Sequence, residues 1–171
     1  AIMSSIVRKG STNIGRDCVC GHLFAAAEAG GPMLRIDRHP MSRHPVTPIP
    51  ESDLKVHLQR QGVGHVGSVS YLSYEAPSHV LGQTVERAVA NGEMILFDVT
   101  RVSDLAPIGR VLWNTAKSHA NNSRNLIAVG PSGVTQALCA HWQAIGEVKA
   151  PPSAAGVSAA KDPVFVMAGS L

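Results

Sequence analysis

Residues 37–48, Asp-Arg-His-Pro-Met-Ser-Arg-His-Pro-Val-Thr-Pro, repeat Arg-His-Pro five positions apart and gather two guanidiniums, two imidazoles, three prolines and a carboxylate. Arg38 and Arg43 can each hold a carboxylate or phosphate through two parallel charge-assisted hydrogen bonds. His39 and His44 add donors whose strength depends on protonation. The prolines limit backbone freedom that would otherwise cost roughly 1 kcal/mol or more per residue to order. The chemistry expected of this loop, from Asp37 onward, is that of a preorganised anion cradle. Two plainer readings stand beside it. The Arg and His side chains could simply tie the loop to neighbouring carbonyls and carboxylates. His39 and His44 could instead bind a metal, although no Cys or His cluster of known spacing completes such a site.

Two further stretches carry polar groups where apolar runs end. Asp98 follows Ile95-Leu96-Phe97, with Arg101 close behind; a carboxylate there could orient or deprotonate a substrate hydroxyl, or equally cap the next turn. Gly130-Pro131-Ser132-Gly133 follows Ile127-Ala128-Val129 and opens a helical pattern. Small residues at such a turn allow close backbone approach, and a helix N-terminus favours anions. Ser132 and Gly133 are therefore candidate ligand contacts. Ser132 as a nucleophile is the weaker reading, because the motif is not Gly-x-Ser-x-Gly, and an N-cap role competes with it. The remaining histidines, at 22, 57, 65, 79, 119 and 141, are scattered and read as surface or core residues.

These loops need elements to position them. The chain has 171 residues, 44% of them hydrophobic but only 4% aromatic and 16% charged, so a core of Val, Leu, Ile and Ala is expected, as in buried parallel strands covered by helices. Apolar runs predict strands at 33–36, 94–99, 125–130 and 164–169, and residues 62–76 read as a bulged strand or irregular connection. Leu54 and Leu58 at i, i+4 spacing predict a helix over 50–61 with Pro50 and Ser52 as start signals. Amphipathic patterns predict helices at 78–93, from Ser103 through residue 120, and at 131–146. The alternation is that of an α/β fold, a three-layer α/β/α arrangement around a mostly parallel sheet. In such sheets ligands sit beyond the carboxyl ends of the strands, and all three polar loops are expected there. Residues 147–163, rich in Pro, Ala, Ser and Gly, read as a linker.

Charge and cysteine content narrow the function classes. A net charge of +3 and a pI near 9.0 come without a Lys/Arg run or an aromatic-interleaved basic stripe, so nucleic-acid binding is not expected, and an RNA-associated reading rests on the pI alone. Cys18, Cys20 and Cys139 have the spacing of neither a zinc site nor a disulfide framework, which points to a reducing compartment. No run reaches the roughly 18 apolar residues of a membrane span, and the first residues do not have the order of a signal peptide. A cytoplasmic protein is expected, and homo-oligomerisation is left open. Both ends read as cut from something longer: Ala1 precedes the first Met, and the chain stops within "PVFVMAGSL".

The order of "GRDCVCGHLFA" (15–25), "LRIDRHPMSRHPVTPIPESDLKVHL" (34–58), "ILFDV" (95–99), "IGRVLW" (108–113), "VGPSGVTQAL" (129–138) and "HWQAIG" (141–146) resembles the four-carbon acid sugar kinases. The doubled Arg-His-Pro loop with its Val-Thr-Pro is the most specific part. The resemblance implies an ATP- and Mg2+-dependent kinase of two α/β domains that phosphorylates the terminal hydroxyl of a tetronate or 3-oxo-tetronate. Residues 1–146 would be a partial sugar-acid-binding domain, 147–163 the linker and 164–171 the first strand of a truncated nucleotide-binding domain. Substrate would then contact Asp37, Arg38, His39, Arg43, His44, Asp98, Ser132 and Gly133, and Gly169 and Ser170 would begin a nucleotide-contacting turn. The family's Asp-Asp strand is missing, Leu171 stands where a Cys is usual, and residues 1–13 have no counterpart. The lone chain is therefore expected to bind the acid without transferring phosphate. A non-catalytic module for small anions is the alternative.

Overall fold

The computed structural model describes residues 2–4, 16–28, 30–91, 94–120, 126–130 and 132–149. The predicted strand at 164–169 and nearly all of the predicted linker lie outside them.

From the first α-helix onward, helix and strand alternate as the apolar periodicity dictates. Strand β1 (Ile2–Ser4) is followed by β2 (Arg16–Val19), β3 (His22–Ala26), β4 (Met33–Arg35), helix α1 (Leu54–Arg60), β5 (Val66–Val69), α2 (Ser78–Ala90), β6 (Met94–Phe97), α3 (Leu105–Ala120), β7 (Ala128–Val129) and α4 (Gly133–Ala144). The first sheet has the order β5-β6-β1-β7, with every pair parallel. The second, β2-β3-β4, is antiparallel throughout.

The parallel sheet is covered on both faces, and β6 shows why its sequence is a continuous apolar run. Ile95, Phe97 and Val99 pack on one side with Leu81 and Val85 of α2, Ile108 and Leu112 of α3 and Ala137 of α4. Leu96 points the other way, into a cluster of Cys18, Leu23, Ala25, Ile36, Leu54, Leu58 and Val66. That second face is covered by α1 together with the antiparallel sheet. The expected α/β class stands, but the second face departs from a plain helix layer. The predicted strand at 33–36 exists as β4 and pairs antiparallel with β3 rather than joining the parallel sheet.

Local boundaries moved for identifiable reasons. Helix α1 is capped by Asp53, whose Oδ1 accepts from the N–H groups of Lys55 (2.9 Å) and Val56 (3.3 Å), so it starts later than Pro50 or Ser52 would set it. Before α3, Asp104 rather than Ser103 organises the entry, its Oδ2 accepting from the N–H groups of Thr100 and Arg101, both at 2.9 Å. Residues 62–76 resolve into β5 and a 3₁₀ turn, Tyr71–Glu75. Helices α3 and α4 cross so closely that a Cβ at Gly109 would overlap the Ala137 carbonyl.

The β2–β3 hairpin carries no Asn-Gly or Asp-Gly signal. Its two-residue turn is Cys20-Gly21, both in the left-handed region at φ 51° and 80°. A non-glycine residue there is uncommon, and Asp98 supports it from 78 positions away. Among the described residues, no helix is long and apolar enough to cross a membrane.

Candidate functional site

Two His-Pro-X turns build the Arg-His-Pro loop. Each histidine precedes a proline and is extended, His39 at φ −84°, ψ 152° and His44 at φ −59°, ψ 133°, as the proline ring requires of its predecessor. Each imidazole then folds back onto the backbone. His39 Nδ1 accepts from the Met41 N–H at 3.0 Å. His44 Nδ1 accepts from the N–H groups of Val46 (3.3 Å) and Thr47 (3.0 Å). Between them runs a 3₁₀ turn, Pro40–Arg43. The Met41 carbonyl accepts from both His44 and Ile49, each at 3.2 Å, closing the loop on itself. Met41 and Ile49 also pack against the Leu96 cluster, which ties the loop to the core.

Between this loop and β3 lies a cavity of about 290 Å³, lined by Ala25, Ala27, His39, Pro40, Met41, Arg43, His44 and Pro45. Ala25 lies in β3 and Ala27 one residue past its end, and their small side chains leave room under the loop. Sequence reading did not single them out, although small residues two apart were the available signal. Arg43 is exposed at the rim, and among the described residues its guanidinium pairs with no carboxylate. His39 is 5% exposed, and its Nε2 is buried with no partner among the described residues.

The other candidates are placed differently. The Asp37 carboxylate takes two hydrogen bonds from Arg35, at 2.7 and 2.6 Å, and that guanidinium holds it below the ordinary carboxylate range. Arg38 is exposed and is not among the residues lining the cavity. Asp98 is fully buried. Its oxygens accept from the N–H groups of Cys20 (2.7 Å), Gly21 (2.9 Å) and Tyr71 (3.4 Å) and from the Cys18 thiol (3.4 Å). Burial, and then the Asp98 charge, push the Cys18 thiol far up, and the same two causes do so for the Tyr74 hydroxyl. The geometry of Asp98 is that of a turn support, though the turn belongs to the distant hairpin. Arg101 is occupied by Glu75 and Asp104, each at 3.3 Å. Ser132 is exposed and Gly133 buried at the start of α4, and neither lines this cavity.

The placement of the three loops is corrected in one respect. The loops at 98–101 and 130–133 do follow parallel strands, β6 and β7, but the Arg-His-Pro loop leaves the antiparallel sheet. The strand-end rule therefore does not bring it to the same edge. Gly169 and Ser170 lie outside the described residues. Among the described residues, no group of three His, Cys, Asp or Glu side chains could hold a metal ion, His39 and His44 included.

Residues 5–138 match the profile of a family described as the sugar-binding N-terminal domain. The chain is 35% identical over 162 residues to a 3-oxo-isoapionate kinase of Paraburkholderia graminis, a match covering 93% of this chain and 31% of that one. It is 27% identical over 157 residues to a 3-oxo-tetronate kinase of Cupriavidus necator, covering 91% of this chain and 33% of the relative. The chain thus spans about a third of the length of these curated relatives. A Haemophilus influenzae protein of known crystal structure shares the fold at a TM-score of 0.60 and 20% identity, over 85% of this chain and 31% of that one.

Proposed function

The chain belongs to the sugar-binding N-terminal domain family, and from that premise we propose that it is the acid-binding part of an ATP-dependent kinase acting on the terminal hydroxyl of a four-carbon sugar acid of the 3-oxo-tetronate, erythronate or threonate type. The cavity under the Arg-His-Pro loop carries this reading. It sets Arg43, whose guanidinium has no carboxylate partner among the described residues, beside the imidazole of His39 over small apolar walls. Arg43 takes the substrate carboxylate in the parallel two-bond geometry that guanidinium and carboxylate share. Asp37, Arg38 and His44 shape the rim and its field, Asp98 supports the Cys20-Gly21 turn, and Ser132 and Gly133 stand apart from this cavity at the start of α4.

Among the described residues the lining holds no carboxylate, and on this reading the cavity orients the acid while proton removal falls to other groups. Phosphoryl transfer asks mainly for positioning and charge neutralisation. ATP and Mg2+ are assigned to the partner domain, which on this reading begins at residue 164 after a linker over 147–163, with Gly169 and Ser170 among the nucleotide contacts. Among the described residues, no group of His, Cys, Asp or Glu side chains could hold the metal. A three-layer sugar-binding domain over 1–146 and a cytoplasmic location belong to the same reading.

Titration calorimetry of the 171-residue chain with threonate, erythronate and the uncharged threitol tests this. The acids should bind and threitol should not, and Arg43→Ala should weaken threonate binding roughly tenfold or more, the value of one charge-assisted pair. Equal affinity in the Arg43→Ala variant, or no binding of any acid, overturns the assignment. Inorganic phosphate binding as tightly as threonate would favour the general small-anion module instead.

A further inference from the structure

Among the described residues the parallel sheet ends at β5, which bonds β6 on one side only. In a parallel ladder alternate residues of a strand serve one neighbour. The carbonyls of His65 and Val69 accept from the N–H groups of Met94 (3.4 Å) and Asp98 (3.0 Å), so Gly67 and Val69 face β6, and the N–H and carbonyl of Ser68 point away from it. Ser68 is exposed, and no hydrogen bond reaches that outward pair among the described residues. The strand carries neither a charge nor a proline to keep another strand away.

Two hollows of about 200 and about 130 Å³ lie between this edge and α2, and they share Ser68, Val69 and Thr84, which makes them one groove. Arg87 and Ala88 line one end and Val80 the other. Val80 is 44% exposed, and Leu72, in the 3₁₀ turn whose Ser73 lines the same end, is 61% exposed. Arg87 pairs with no carboxylate among the described residues, while Glu75 of that turn keeps a side chain 70% exposed beside its contact with Arg101. The groove therefore has a cation at one end, and apolar side chains and an open carboxylate at the other.

We propose that this groove docks a second copy of the chain, related by a two-fold axis through Ser68, so that two parallel sheets join edge to edge through β5. A two-fold contact needs a surface that complements itself. The axis sets Ser68 opposite its own copy in an antiparallel pairing, where each N–H donates to the other's carbonyl. Thr84 lines both hollows with Ser68, so the same axis sets the two Thr84 side chains against each other and the two α2 helices antiparallel. Positions equally far from Thr84 then exchange. Val80 meets Ala88 of the second copy, and Arg87 reaches toward the turn that holds Leu72 and Glu75 of the second copy. The arginine stem covers apolar surface while its head gains a carboxylate. The inference is independent of the acid cavity, whose lining shares no residue with the groove.

Sedimentation velocity of the chain from about 1 to about 100 μM should show a dimer whose fraction rises with concentration. Thr84→Lys sets two ammonium groups face to face at the axis, and Arg87→Glu sets its charge against Glu75 of the second copy. Both positions are exposed on α2, so the circular dichroism of each variant should stay that of the wild type. Each should raise the dissociation constant roughly tenfold or more, the effect of like charges brought together at an interface. Adding Glu75→Arg to Arg87→Glu rebuilds the pair in swapped order and should recover most of the lost affinity. A chain that stays monomeric throughout that range overturns the inference, as does a dimer whose dissociation constant neither variant moves, because it then forms elsewhere. A swapped double variant no tighter than Arg87→Glu overturns the antiparallel two-fold register.

Discussion

Asp98 and His39 show how far a residue's type underdetermines its role. Both are polar side chains next to apolar runs, and both were candidates for ligand contact. Asp98 meets four donors inside the protein, among them the two successive turn amides of Cys20 and Gly21. His39 meets one on Nδ1 and leaves Nε2 without a partner among the described residues. The difference is the number of protein donors within reach, which sequence spacing does not state. Removing the Asp98 carboxylate should strand the turn amides and release Cys20 from its left-handed conformation. Asp98→Ala is expected to destabilise the chain by on the order of 3 kcal/mol, from the loss of two short charge-assisted hydrogen bonds. Urea unfolding measures this, and a cost under about 1 kcal/mol would show that the turn holds without the carboxylate.

At the scale of elements, the α3–α4 pair is the closest packing of the described fold. Gly109 sits where the backbone of one helix meets the Ala137 carbonyl of the other, with the His141 Cβ also within reach. A glycine inside a helix is unfavourable by propensity, so its place here is explained by approach distance rather than by backbone freedom. Gly109→Ala would raise intrinsic helix propensity and yet should destabilise the protein by about 1–3 kcal/mol or more, because overpacking against backbone finds no flexible side chain to yield. A thermal melt decides the sign. An unchanged or higher melting temperature would mean that the two helices can move apart at little cost.

For the whole molecule, His141 offers a readout of how tightly the helical layer is closed. Burial, and then the Arg110 charge, hold its imidazole below the usual histidine value. The folded state therefore binds the proton less readily than the unfolded chain does. Stability is full above the ordinary histidine range near pH 6.5 and declines as pH falls through it toward the lower folded value. Urea midpoints at pH 7.5 and 5.5 should show this fall, and His141→Gln should flatten it. An equal slope in the variant would assign the acid loss to other groups.

Local physics made much of this architecture legible in the sequence. The apolar run of β6, the i, i+4 stripes of α2 and the Pro-stiffened geometry of the Arg-His-Pro loop depend on neighbours a few positions away, and periodicity or a proline ring is enough to dictate them. The family was legible as well, because its motifs keep their order along the chain. Other features were decided by tertiary structure alone. The Cys20-Gly21 turn is held by a carboxylate 77 or 78 positions distant, β4 turns antiparallel because its available neighbour is β3, and the cavity forms where two alanines at the end of that strand lie under the loop. Hydrogen-bond donors and packing partners that arrive from across the chain leave no mark in local spacing. That is why the sequence by itself could name the residues able to hold an acid, whereas only the fold decided which of them face one another across an open space.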